Sequence, residues 1–151
     1  MTPAVEAAKR AGIEFSLHTY TGIEIGDGDY AVAVAGALGR APAQLFKTLV
    51  ASVAGELRLF IVPADRQLDL RAAGKRATLA DRVQAERATG YVAGGISPLG
   101  QRRALPTVVD NSAERFETVY VSAGRRGLQM ELAPADLVRL TRGHYAAITT
   151  H

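Results

Sequence analysis

Lys47 stands between Leu45-Phe46 and Thr48-Leu49-Val50-Ala51, where an apolar strand is expected to begin. A lysine at such an edge commonly serves as a solvated gatekeeper against edge-to-edge pairing. The other reading is a cation held at a pocket mouth, ready to meet a phosphate or a carbonyl oxygen. A second candidate is Gly94-Gly95-Ile96-Ser97-Pro98-Leu99-Gly100. Its glycines let backbone approach a ligand closely and leave N–H groups free to point at it. Ser97 adds a hydroxyl that donates or accepts, and Gln101-Arg102-Arg103 follow at once with phosphate-seeking groups. By itself the stretch is equally a tight structural turn.

Other patterns are weaker. Gly26-Asp27-Gly28-Asp29-Tyr30-Ala31 fits a dinucleotide fingerprint in letters. Its aspartates beside Gly28 would repel a pyrophosphate, and the flanking βαβ context is missing. Gly95-Ile96-Ser97-Pro98-Leu99 lacks the final glycine of a nucleophile elbow, and Pro98 opposes the turn into a helix that an elbow needs. His18, His144 and His151 share no metal-ligand spacing, which disfavours a zinc hydrolase. The chain has no cysteine, hence no disulfide, thiolate metal site or cysteine nucleophile.

These residues must be placed by a single compact domain over 1–151. A hydrophobic fraction of 48% and a charged fraction of 22% are ordinary for a globular protein. No signal-like start and no membrane-length apolar run is visible, so cytoplasm is the expected compartment, with no membrane partner. Net charge is +3, a modest excess that does not establish nucleic-acid binding. Arginines nevertheless gather at Arg102-Arg103 and Arg125-Arg126, and Lys75-Arg76 adds a third pair. Such groups are either a solvated surface or phosphate contacts.

Thr2-Pro3 reads as the cap and first position of a helix ending at Gly12. Ile13 to Tyr20 alternates as a strand, with Phe15, Leu17 and Thr19 on one side and His18 on the other. Thr21 to Asp29 is a loop, and Asp29 caps a helix from Tyr30 to Leu38. Pro42 starts a short turn ending near Phe46. Thr48–Val53 and Leu57–Val62 form a hairpin over Ala54-Gly55-Glu56. Helices are expected over Asp69–Ala77, from Asp81 to Thr89, and from Pro134 to Gly143. Leu105–Val109 is a strand, Ser112–Phe116 a helical turn, and Thr118–Ser122 with Leu128–Leu132 a second hairpin. Helices and hairpins mixed without strict alternation predict an α+β fold with a mixed sheet.

Taken together, several segments resemble the YbaK family, also called EbsC, of aminoacyl-tRNA deacylases, related to the editing domain of bacterial prolyl-tRNA synthetases. The likeness runs through Phe15-Ser16-Leu17-His18-Thr19-Tyr20 and Phe46-Lys47-Thr48-Leu49. It is strongest from Arg87-Ala88-Thr89-Gly90-Tyr91 through Gly94-Gly95-Ile96-Ser97-Pro98-Leu99-Gly100-Gln101. It resumes in Leu105-Pro106-Thr107, Tyr120-Val121-Ser122-Ala123-Gly124-Arg125-Arg126-Gly127-Leu128 and Glu131-Leu132-Ala133.

The resemblance implies one α+β domain with a barrel-like mixed sheet flanked by helices. It implies hydrolysis of the ester joining an amino acid to the tRNA 3′ end, with no cofactor, no metal and no DNA partner. The family's essential lysine falls on Lys47 and its G-x-x-x-P loop on Gly94 through Pro98. Its tyrosine matches Tyr20, and Ser122 and Asp136 match positions near its pocket. Thr48, Gly95, Ile96, Ser97 and Gly100 complete the expected substrate site, and Arg102, Arg103, Arg125 and Arg126 the expected tRNA contacts. The Gly94–Gly100 stretch is closer to the cysteine-specific branch, in which the substrate thiol attacks its own ester. Removal of alanine from proline tRNA, and a non-catalytic tRNA- or synthetase-binding module, are the competing readings. A complex with prolyl-tRNA synthetase is also implied.

Overall fold

The computed structural model describes residues 1–25 and 29–150, so the Gly26-Asp27-Gly28 part of the fingerprint, that part of the early loop, and His151 lie outside the described residues. Two hairpins organise the rest. The first joins β2 (Phe46–Val53) to β3 (Glu56–Pro63), and the second joins β6 (Val119–Arg125) to β7 (Leu128–Leu132). β1 (Phe15–Thr19) pairs antiparallel with β7, giving a three-stranded sheet in the order β1-β7-β6. β4 (Thr78–Leu79), β5 (Thr107–Asp110) and β8 (His144–Ala146) join the first hairpin in a mixed sheet ordered β4-β2-β3-β5-β8. The pairs β3–β5 and β5–β8 are parallel and the others antiparallel. The α+β class and the mixed sheet stand, but the strands divide between two sheets. Among the described residues these meet through a parallel bridge from Leu45 to Tyr120 rather than closing into a barrel.

The helix boundaries follow local chemistry. Thr2 caps α1 (Pro3–Ala11) by accepting the Val5 N–H, and Gly12 ends it at φ 70°. Asp29 caps α2 (Tyr30–Ala37) and Asp81 caps α4 (Arg82–Thr89), each carboxylate accepting an orphan N–H of the first turn. The helix expected over Asp69–Ala77 is cut to α3 (Leu70–Ala73). Gly74 takes φ 143°, and any Cβ there would lie 2.5 Å from Val53 Cγ1, so the chain leaves the helix where it must pass over β2. Pro134 opens α5 (Pro134–Thr141). Along β1 the alternation holds poorly. Leu17 is exposed, while His18 is half-buried against the Tyr120 ring and meets Glu131 Oε1 at 2.9 Å.

The main core packs α1, α5, β5 and the inner face of β6–β7 around Val121, Met130, Leu132 and Leu137. A second cluster of Tyr20, Val34, Ala35, Leu45 and Tyr120 seats α2 across the bridge between the sheets. That placement makes α2 one wall of the cavity described below.

The β2–β3 turn puts Ala54 at φ 51° and Gly55 at φ 84°, the pair of left-handed residues that a two-residue hairpin requires. Alanine carries a Cβ penalty of about 1 kcal/mol there. Ala54→Asn is expected to raise the melting temperature by about 2–4 °C, as thermal unfolding followed by circular dichroism would read.

Candidate active site

A cavity of about 550 Å3 opens where the start of β2 faces the second hairpin. Phe46, Lys47 and Thr48 come from β2, Ser122 and Gln129 from β6 and β7, and Tyr30, Ala31 and Val34 from α2. Ala93, Gly94 and Ile96 of the glycine-rich loop close another side, and Gln67 also lines it. Lys47 is half-buried, and among the described residues its Nζ donates one hydrogen bond, 3.3 Å to the Ala64 carbonyl. An ammonium has three donors, so among the described residues two are without an acceptor. Lys47 thus lines the cavity from the start of β2.

The hairpin register pairs Ser122 with Gln129. Ser122 Oγ accepts the Gly124 N–H at 3.2 Å, which leaves its own proton to donate. Gln129 is 4% exposed, and its Oε1 has no partner among the described residues; Thr48 Oγ1 is buried and unpartnered in the same way. Unpaired buried polar atoms cost about 1–3 kcal/mol each, and these two belong to residues that line the cavity from β2 and from β7. In the sequence Gln129 is a lone glutamine in an alternating strand, which carries no signal by type. The sequence signal that would have found it is the hairpin register, which puts it opposite Ser122.

Asp136 is a correction. It lies on α5, bonded to Arg139 at 3.2 Å, in a separate depression with Gly12, Ile13 and Glu117. Asp136 does not line the cavity with Lys47, whereas Gln129 does.

The glycine-rich loop is built from inside. Tyr91 Oη donates to the Leu99 carbonyl at 2.6 Å, bridging the loop ends, and burial pushes its phenol up to about 12, keeping it a donor. Ser97 is fully buried, with Oγ accepting the Leu99 N–H at 3.2 Å, and Gln101 Nε2 holds the Ser97 carbonyl at 2.9 Å. Gly100 has φ 65° and lies so close to the Pro3 carbonyl that a Cβ would fall 2.4 Å from its oxygen. Gly95 packs on the hairpin, where a Cβ would be 2.7 Å from Arg125 Cα. Ser97, Pro98, Gly95 and Gly100 therefore shape the loop without lining the cavity, while Gly94 and Ile96 line it. Among the described residues no acceptor meets the N–H of Gly94 or of Ile96.

Tyr20 stands behind the wall. It is buried, and its hydroxyl bonds the Tyr30 hydroxyl at 2.8 Å, so Tyr30 presents itself to the cavity with Tyr20 as support. Burial first, and then the Tyr20 bond, push the Tyr30 phenol above its usual range, while Arg126 pulls the other way. Arg126 itself lies over Gly94 and donates Nε to the Ala93 carbonyl at 2.9 Å. Arg125, Arg102 and Arg103 are exposed, and Arg102 folds over Gly90. Of the four expected RNA contacts, Arg126 stands at the cavity rim. No helix of the described residues is long and apolar enough to cross a membrane.

A family model described as "Aminoacyl-tRNA editing domain" matches residues 27–140. A relative from Enterococcus faecalis, named "Putative Cys-tRNA(Pro)/Cys-tRNA(Cys) deacylase EbsC", is 36% identical over 80% of this chain and 77% of its own. An Escherichia coli K12 relative, named "Multifunctional Ser/Thr-tRNA deacylase ProXp-y", is 33% identical over 73% of this chain and 72% of its own. Among solved structures, one described as "a putative trans-editing enzyme for prolyl tRNA synthetase" superposes with a TM-score of 0.80 at 22% identity, covering 100% of this chain and 99% of that one. At that identity the likeness concerns the fold.

Proposed function

The chain belongs to the aminoacyl-tRNA editing domain family, and on that premise we propose that it hydrolyses mischarged aminoacyl-tRNA in trans, with cysteine on proline tRNA as its substrate. The observation that carries this reading is the placement of the Lys47 ammonium and the Ala93–Ile96 backbone on one cavity of about 550 Å3. That volume suits an aminoacyl ester with part of its terminal adenosine.

The chain's own groups divide the work. Lys47 meets the terminal phosphate or polarises the ester through its ammonium. The Gly94 and Ile96 N–H groups receive the oxyanion that develops on the ester carbonyl. Gln129 Oε1 accepts the substrate's α-ammonium, which completes an acceptor otherwise left unpaired. The substrate sulfur then attacks the ester carbonyl carbon. The carbon–oxygen bond to the ribose breaks, the ribose oxygen takes up a proton in place of the one the thiol gave up to solvent, and a four-membered thiolactone leaves for hydrolysis by water. Holding the thiol against its own carbonyl removes the entropy cost of encounter, and oxyanion stabilisation offsets ring strain.

A second reading, clearance of serine or threonine, is favoured by Thr48 Oγ1, a buried group that would pair with a substrate hydroxyl. We place the protein in the cytoplasm, working beside prolyl-tRNA synthetase, with Arg126 contacting the RNA.

The deciding experiment incubates the purified protein with proline tRNA charged with cysteine, alanine, serine or threonine and follows ester loss. Fastest release of cysteine, with a transient thiolactone identified by mass spectrometry, is expected. Equal or faster release of serine and threonine would establish the second reading, and tRNA binding without any cleavage would leave a non-catalytic module.

A further inference from the structure

The Ala93–Gly94 peptide is held from outside the cavity by two charged side chains that the reaction itself does not use. On one side, Glu86 of α4 places Oε2 2.7 Å from the Ala93 N–H. Arg82, one turn earlier on the same helix, steadies that carboxylate from 3.4 Å. On the other side, Arg126 of the β6–β7 turn donates Nε to the Ala93 carbonyl at 2.9 Å. Both bonds are charge-assisted and hence about twice as strong as neutral ones. The main-chain donor and acceptor of a single residue are thus tied to two different elements of the fold.

We propose that Glu86 and Arg126 are positioning residues that clamp the Ala93–Gly94 rim of the cavity and so orient the Gly94 N–H for the ester. The inference rests on the deacylase reading. A trans peptide carries its C=O and N–H in opposite directions. Fixing the Ala93 carbonyl on Arg126 therefore turns the Gly94 N–H away from Arg126. Gly94 has φ 85°, a conformation with little intrinsic preference in glycine, so the loop backbone does not hold this orientation unaided. A Cβ at Gly94 would also meet Ile25 Cδ1 at 2.5 Å and Arg126 at 3.1 Å, which shows how closely the clamp is drawn over the loop.

The charges facing the Glu86 carboxyl are Arg82 and Arg126, and the Ala93 N–H is the largest influence holding it below the usual glutamate range. The Ala93 amide consequently reports the state of the clamp. Its NMR resonance should shift as Glu86 is protonated at acid pH, and that shift should vanish in Glu86→Gln.

The kinetic test uses 3′-cysteinyl adenosine, which carries no phosphate, so a loss in Arg126→Ala cannot arise from lost phosphate binding. Glu86→Ala and Arg126→Ala are expected to lower kcat by about 10- to 100-fold, with KM changed less than about threefold. Glu86→Gln, which still accepts the Ala93 N–H, should recover most of the rate. Melting temperatures accompany each variant; should Glu86→Ala prove unfolded, Arg126→Ala and the amide titration decide. Wild-type kcat in both alanine variants, or an Ala93 amide indifferent to Glu86, overturns the clamp while leaving the deacylase reading intact. Failure of the wild type to cleave any aminoacyl-tRNA overturns both.

Discussion

Lys47→Ala should reduce cleavage of cysteinyl-tRNA by about 100- to 1,000-fold, the usual cost of losing one donor to a developing charge in a water-poor site. The fold should survive, because among the described residues the side chain makes one hydrogen bond, to the Ala64 carbonyl, and that bond is modest at 3.3 Å. β2 is held independently by its pairing with β3 from Phe46↔Pro63 through Val53↔Glu56. Loss of rate with an unchanged melting temperature is therefore the expected pattern. Lys47→Arg should not restore the rate, since a planar fork cannot place one compact charge where the ammonium stood. Splitting the effect tells the two roles of Lys47 apart. A rise in KM on whole tRNA that disappears with the phosphate-free adenosine ester marks phosphate binding. A fall in kcat on both substrates marks polarisation of the ester. Full activity in Lys47→Ala would remove Lys47 from the chemistry altogether.

Much of the scaffold around this lysine is legible from short-range chemistry. Asp29 and Asp81 precede their helices with acceptors placed for the first turn, and Gly12 and Gly90 follow theirs in the left-handed conformation. Both hairpins are marked by their turn residues. What escapes is set by tertiary neighbours. β4 and β8 are short strands that exist because β2 and β5 offer them an edge. Leu17 is apolar yet faces outward, because Glu131 and Tyr120 hold His18 on the half-buried side of β1. The site divides in the same way. Lys47 and Gly94 announce themselves by type and setting. Ser97 resembles a ligand-facing hydroxyl in sequence, but its proximity to Leu99 folds it into its own loop. Gln129 reaches the cavity through its register opposite Ser122, which follows from the strand pairing rather than from residue type, and Asp136 lies in a separate depression.

Replacing the substrate's sulfur tests the mechanism more directly than replacing any residue of the protein. Cysteinyl and seryl esters differ by one atom, so the cavity binds them with similar ease; one comparable small group in a pocket is worth about 1–3 kcal/mol at most. A thiol with a pKa of about 8.5 is already partly ionised near neutrality and strongly nucleophilic, whereas a hydroxyl is neither. Cysteine should therefore be released at least about 100-fold faster than serine, through the intramolecular advantage of a nucleophile held against its target. The cysteine rate should rise with pH up to about 8.5 and then level, following formation of the thiolate, while the rates for alanine and serine show no such step. S-methylcysteinyl-tRNA should be bound but uncleaved, since a thioether carries no proton to lose. Lys47→Ala should slow cysteine release without moving the step, because the titrating group belongs to the substrate. If the S-methyl ester is cleaved as fast as the free thiol, attack comes from water instead, and the unpaired Thr48 Oγ1 and Gln129 Oε1 become the groups to hold it.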